Sequence, residues 1–152
     1  MSSSNIIMGG CECGRVRYTI QGSPINTTWC YCKQCQRVSG TPFIPFTGFN
    51  KSDITWSEQP DVFSSSDIAE RFHCKNCGST LGMWYTFRDG KVGIASATLD
   101  QDYGVSLAPS KHIFLKDRPT WFQVPDDGAK RYDEHEADFG RQIREWRDAQ
   151  GK

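Results

Sequence analysis

A chain of 152 residues is long enough for one ordinary domain with a real core, and an apolar share of 37% makes that core lean. Eighteen basic residues balance eighteen acidic ones, so the basic footprint of a nucleic-acid binder is absent. No apolar run approaches membrane-spanning length, and the first ten residues lack the basic and apolar regions of a signal peptide, which predicts a cytoplasmic protein with no membrane partner.

Short strands dominate the predicted elements. A first cysteine clip, Cys11-Glu12-Cys13-Gly14, precedes residues 15–20, whose polar–apolar alternation predicts a half-buried strand. Residues 27–31 are β-branched and aromatic, and run directly into Cys30-Tyr31-Cys32-Lys33-Gln34-Cys35. Residues 33–38 fit a turn or two of helix, stopped by Gly40. Pro45 makes residues 43–46 an edge strand or an irregular segment. Residues 54–56 and 62–63 are further short strands, followed by the third clip, Cys74-Lys75-Asn76-Cys77-Gly78. Residues 81–87 and 91–97 flank Arg88-Asp89-Gly90 and read as a hairpin. Strands are expected at residues 111–115 and 120–124. Phe139, Ile143 and Trp146 at i, i+4 and i+7 predict a C-terminal helix that packs on its own core. The acidic pairs Asp126-Asp127 and Asp133-Glu134 read as solvated surface. The expected architecture is one mainly-β domain of short antiparallel strands, with a metal-clipped core over about residues 9–124 and a helical extension over about 134–149.

Seven clustered cysteines, an odd number, favour metal over disulfides in such a chain. The first and third clips share a following glycine, Gly14 and Gly78, able to take positive φ and turn the chain sharply round an ion. Each is followed by strand-like sequence, and together they supply Cys11, Cys13, Cys74 and Cys77, four thiolates that close a tetrahedral structural zinc site. Such a site supplies a long-range constraint that a lean core cannot. The middle clip supplies three ligands, Cys30, Cys32 and Cys35, and three protein ligands leave zinc an open position. The other possibility is a closed second site completed by His73 or His112.

Three cysteinates around a divalent ion leave it net negative, so it is a poor Lewis acid and a poor source of hydroxide. Its natural partner is another sulfur, held as thiolate and ready to add to a carbonyl carbon or to leave from a thioacetal.

These residues resemble the glutathione-dependent formaldehyde-activating enzyme family, which includes centromere protein V-like proteins. The match is carried by Gly9-Gly10-Cys11-Glu12-Cys13-Gly14, Cys30-Tyr31-Cys32-Lys33-Gln34-Cys35, Cys74-Lys75-Asn76-Cys77-Gly78-Ser79 and a His112-Ile113 segment ending at Trp121. The resemblance implies a β-tent fold, a structural zinc on Cys11, Cys13, Cys74 and Cys77, and a second zinc on Cys30, Cys32 and Cys35, where the glutathione thiol binds. It also implies the carbon–sulfur lyase chemistry that forms S-(hydroxymethyl)glutathione from formaldehyde and glutathione. Tyr31 stands where that family's pattern has histidine, and strand alternation expects it to face outward.

A glutathione site needs cations for its carboxylates, and Lys33, Arg37, Lys75 and Arg118 are the candidates. The contrasting function is a non-catalytic zinc module that docks a protein partner, with Trp56, Phe63, Trp84 and Trp121 forming its exposed patch.

Overall fold

The computed structural model describes residues 6–151, which form eleven strands and two α-helices. Strands β1 (Ile6–Gly10), β2 (Arg17–Gln21) and β5 (Ile54–Trp56) make a small antiparallel sheet in the order β1-β2-β5. The alternation of β2 is realised: Tyr18 and Ile20 turn inward, while Arg17 and Thr19 lie half-buried on the other face.

The larger sheet holds β3 (Thr27–Cys30), β4 (Ile44–Asn50), β6 (Asp61–Ser66), β7 (Ala69–His73), β8 (Thr80–Tyr85), β9 (Lys91–Ala95), β10 (Lys111–Ile113) and β11 (Lys130–Arg131). Their order is β11-β10-β3-β4-β9-β8-β7-β6. Pairing is antiparallel from β3 to β6, but β10 runs parallel to both β3 and β11, so the sheet is mixed rather than wholly antiparallel. The long stretches of chain from β3 to β10 and from β10 to β11 permit this, because parallel neighbours need more chain than a hairpin supplies.

Three expectations are corrected. Pro45 lies in β4, a central strand, where it pairs with Trp29. The β4–β9 ladder begins one residue later, at Phe46 opposite Ala95, so the missing N–H costs no bond on that side. Residues 120–124 form no strand: prolines 119 and 125 bracket them, and Phe122 N–H instead closes a turn onto the Pro119 carbonyl at 3.1 Å. Strand β10 stops at Ile113 because Phe114 takes a left-handed backbone, φ 58°.

Buried side chains gather in two clusters. One, with Ile7, Val16, Tyr18, Ile20, Phe49 and Phe72, joins the two sheets. The other places Ile44, Phe46, Met83 and Ile113 around Cys30 and Cys35. Each fully buried side chain of this size contributes about 1.5–3 kcal/mol. Helix α2 (Phe139–Ala149) docks on the protein's own core, as expected, through Phe139. That ring meets Tyr85, Phe87 and Phe114 edge-on and stacks on His135 at 3.9 Å. Arg147 adds a two-pronged contact to Asp67, both bonds 2.8 Å. The helix begins at Phe139, later than the expected 134. Among the described residues no helix is long and apolar enough to cross a membrane.

Candidate metal centres

The four sulfurs of Cys11, Cys13, Cys74 and Cys77 lie within 4.8 Å of one another. Cys11 and Cys13 occupy the turn from β1 to β2, and Cys74 and Cys77 the turn from β7 to β8, so the group fastens the small sheet to the large one. The two turns share a construction. Cys11 N–H donates to the Val16 carbonyl at 2.9 Å, and Cys74 N–H to the Ser79 carbonyl at 3.0 Å. Gly14 (φ 83°) and Gly78 (φ 77°) take the left-handed backbone that the sequence anticipated. Neighbouring sulfurs stand 3.7 Å (Cys11–Cys13) and 3.8 Å (Cys13–Cys74) apart, and no cysteine is in a disulfide.

Donors favour the anionic sulfurs. Arg15 Nε reaches Cys74 Sγ at 3.4 Å and holds that thiol below its ordinary range. The Ser79 hydroxyl, 3.2 Å from Cys77, holds that thiol down at about 5. Arg15 is itself bound by Asp61 and, at 3.4 Å, by Glu58.

The second group is built from one short stretch. Cys30 ends β3, Cys32 caps helix α1 (Lys33–Ser39), and Cys35 lies in its first turn, all three sulfurs within 4.8 Å. Cys32 Sγ accepts from Cys35 N–H at 3.4 Å, a helix-start contact of the kind that favours thiolate. Hydrogen bonds from the Cys30 and Cys35 thiols, with that N–H, hold Cys32 below the ordinary thiol range. Gln36 ties the start of α1 to the rest of the molecule, donating to the carbonyls of Tyr31 (2.6 Å) and Asp117 (2.8 Å). Cys30 and Cys35 are buried and Cys32 is half-buried. No fourth protein ligand joins them among the described residues.

His112 is engaged elsewhere. Its Nδ1 lies 3.0 Å from Tyr31 Oη, and its Nε2 lies 2.9 Å from Asp127 Oδ2. Tyr31 and His112 are both wholly buried, which corrects the outward-facing expectation for Tyr31. The tyrosine ring packs among Phe43 and Phe122, and burial, reinforced by the Asp127 carboxylate, pushes its hydroxyl up to about 12. A protonated phenol donating to Nδ1, with Nε2–H donating to Asp127, satisfies every group in the chain. Asp127 is therefore more than solvated surface, whereas Asp133 and Glu134 are exposed as expected, Glu134 pairing with Lys116 at 2.6 Å on the surface. His73 joins neither sulfur group.

The sequence did not single out Arg71. Buried at 3% exposure on β7, it extends Nη2 to within 3.5 Å of Cys35 Sγ. Nor did it single out the cations of an adjoining cavity of about 270 Å³, whose wall includes Cys30, Met83, Tyr85, Arg88, Lys91 and Lys111. Lys33, Arg37, Lys75 and Arg118 are exposed and do not line it. The usable signal was positional: Arg88 and Lys91 bracket the hairpin tip next to β8, the strand that carries Met83 and Tyr85. Of the four aromatic residues proposed as a docking patch, Trp56 packs edge-on against Tyr18 and Phe72, and Trp84 packs against Phe72 beneath the Lys51 ammonium. Only Phe63 and Trp121 (76%) are exposed.

The chain is similar to an uncharacterized lyase of Schizosaccharomyces pombe, with 32% identity over 116 residues, covering 70% of this chain and 83% of the relative. A solved crystal structure of a Rhodobacter sphaeroides protein shares its fold, with TM-score 0.53 and 19% identity over 82% of this chain and 98% of the other. The family model of the glutathione-dependent formaldehyde-activating enzyme matches residues 6–117, a span that takes in all seven cysteines, Arg71 and the cavity-lining cations, and the chain belongs to that family.

Proposed function

We propose that the protein is a zinc-dependent enzyme of carbon–sulfur lyase type, acting on the adduct of an aldehyde with glutathione or another small thiol. Formation of S-(hydroxymethyl)glutathione is the reaction the family name suggests. One observation carries the reading: three clustered sulfurs, with no fourth protein ligand among the described residues, reach through Cys30 a cavity whose wall carries Arg88 and Lys91 without a carboxylate partner. The uncharacterized lyase among its relatives supports the same class.

The sulfurs fit zinc. Tetrahedral bonds of about 2.3 Å place sulfurs about 3.8 Å apart. The 3.7 and 3.8 Å separations in the four-cysteine group match that spacing. On this reading Cys11, Cys13, Cys74 and Cys77 hold a structural zinc, and Cys30, Cys32 and Cys35 hold a second one. When bound there, zinc supplies a positive centre that keeps a substrate thiol as thiolate at neutral pH.

The chain's own residues do the rest. Cys30 brings the sulfur cluster to the cavity wall. Lys111 is neutralised by Glu136 at 2.6 Å, but Arg88 and Lys91 have no carboxylate partner among the described residues and hydrogen-bond the neutral amides of Gln142 and Asn50. Their charge is free to attract substrate carboxylates, of which glutathione has two. Met83, Tyr85 and Phe46 supply an apolar wall that limits water around the reacting atoms. In the condensation, a sulfur electron pair forms the C–S bond, the carbonyl pair moves onto oxygen, and that oxygen takes up the proton the thiol gave away.

Native mass spectrometry tests this reading. Two zinc ions per chain are expected, with a glutathione adduct that disappears in Cys32→Ala while that variant stays folded. One zinc per chain, or two with no thiol adduct, sinks it.

A further inference from the structure

Each cysteine group has an arginine against it, but the two arginines are not equivalent. Arg15, at the four-cysteine group, is shared with Asp61 and Glu58. Arg71, at the three-cysteine group, has no carboxylate partner among the described residues. Its Nη2 faces Cys35 Sγ, and its buried Nε and Nη1 make no hydrogen bond at all. A guanidinium stays charged under all ordinary conditions. Burying one without a counter-anion is among the costliest things a core can do. The anions that face this one are the sulfurs of Cys30, Cys32 and Cys35.

We propose that Arg71 is the built-in countercharge and positioning residue of the three-cysteine centre, and that it lets this centre take an anionic fourth ligand. The inference rests on the reading above, that a divalent ion binds there. Three cysteinates around such an ion leave one negative charge, and Arg71 brings the assembly to neutrality. An incoming thiolate then meets a neutral centre instead of a repelling one. The two unused donors of Arg71 leave the guanidinium room to shift toward added negative charge. At the four-cysteine group no fifth ligand has to be admitted, and carboxylates share the arginine there without penalty. Arg71 also lies opposite Met83 in the β7–β8 ladder, and Met83 lines the cavity, so the charge sits behind the wall where substrate would enter.

The test uses the zinc-loaded protein, Arg71→Met, which keeps the volume without the charge, and Arg71→Lys, which keeps the charge. Zinc retention at each group is followed by chelator competition. Binding of 2-mercaptoethanol, whose only ionisable group is its thiol, is followed by calorimetry, so the cavity cations cannot contribute. Arg71→Met is expected to weaken both zinc retention at the three-cysteine group and thiol binding by at least about tenfold. Arg71→Lys should recover most of the loss, and zinc at the four-cysteine group should be unaffected, which a merely structural role would not produce. Equal zinc retention in wild type and Arg71→Met overturns the proposal. Zinc lost from both groups alike, with no recovery in Arg71→Lys, also overturns it, because Arg71 would then be acting through packing. If the wild-type protein binds no thiol, the proposed function fails, and selective loss of zinc in Arg71→Met still decides for or against the countercharge.

Discussion

Tyr31 shows how far a single residue can depart from its reading in the sequence. It stands between Cys30 and Cys32, one residue past the end of β3, where alternation predicts an outward-facing side chain. The far side of the strand end, however, is not solvent. The segment from Pro119 to Pro125 folds over it and brings Phe122 onto its ring. A cover supplied from ninety residues away leaves no local trace. Tyr31→Phe keeps the ring contacts but strips His112 Nδ1 of its buried partner, which costs about 1–3 kcal/mol. Urea denaturation should show that loss, and an unchanged midpoint would mean that water replaces the hydroxyl. His135 offers a pH test at the same scale. Burial, with Lys111 and Arg88 nearby, holds its imidazole down at about 4, against an ordinary value of 6.5. Between those values the unfolded chain binds the proton and the folded chain resists it, so stability rises with pH across that window. The destabilisation is fully present below about 4 and absent above about 6.5. His135→Phe retains an aromatic ring against Phe139 and removes the titration. Its melting temperature should therefore fall less than the wild type's between pH 7 and pH 5; equal falls would refute the assignment.

Among the elements, those with a local cause were legible and those with a distant cause were not. The cysteine turns, β2, the start of α1 and the face of α2 each follow from residues a few positions apart. The sequence exposed neither the parallel pairing of β10 nor the central place of β4, because both depend on which strand arrives alongside. The candidate site divides in the same way. Its sulfurs lie in tight clips that any reading of spacing finds, whereas Arg71, Arg88, Lys91 and Lys111 come from β7, the turn after β8, β9 and β10, and meet only in the fold. Helix α2 tests whether this assembly depends on its frame. Phe139 contacts Tyr85 and is crossed by Arg88 at 5.3 Å, so the helix buttresses one wall of the cavity. Phe139→Ala should cost about 3–5 kcal/mol and loosen that wall. Calorimetric melting would register the first effect. Raised hydrogen exchange at residues 85–88 would register the second, and unaltered exchange there would separate the helix from the cavity.

At the scale of the whole molecule, the two cysteine groups have opposite relations to stability. The four-cysteine group joins two sheets through turns 61 residues apart in sequence, as measured from Cys13 to Cys74. The three-cysteine group spans six consecutive positions and joins nothing that backbone and core do not already join. Folding stabilities of single domains are about 5–15 kcal/mol, and a structural zinc bound by four thiolates contributes on the order of 10 kcal/mol. If both groups hold zinc as proposed, losing the ion of the first would remove about as much free energy as the fold has to spare, while losing that of the second would remove a local constraint. A graded chelator titration should release metal in two steps. An ion held by only the three thiolates of Cys30, Cys32 and Cys35 should leave first, with the circular dichroism spectrum intact. The second step should coincide with loss of tertiary structure, and Cys74→Ala should reproduce that loss without chelator. Simultaneous release of both ions with unfolding would show instead that the three-cysteine group is as structural as the other, and a folded Cys74→Ala protein would show that the aromatic core between the sheets holds them together without the ion.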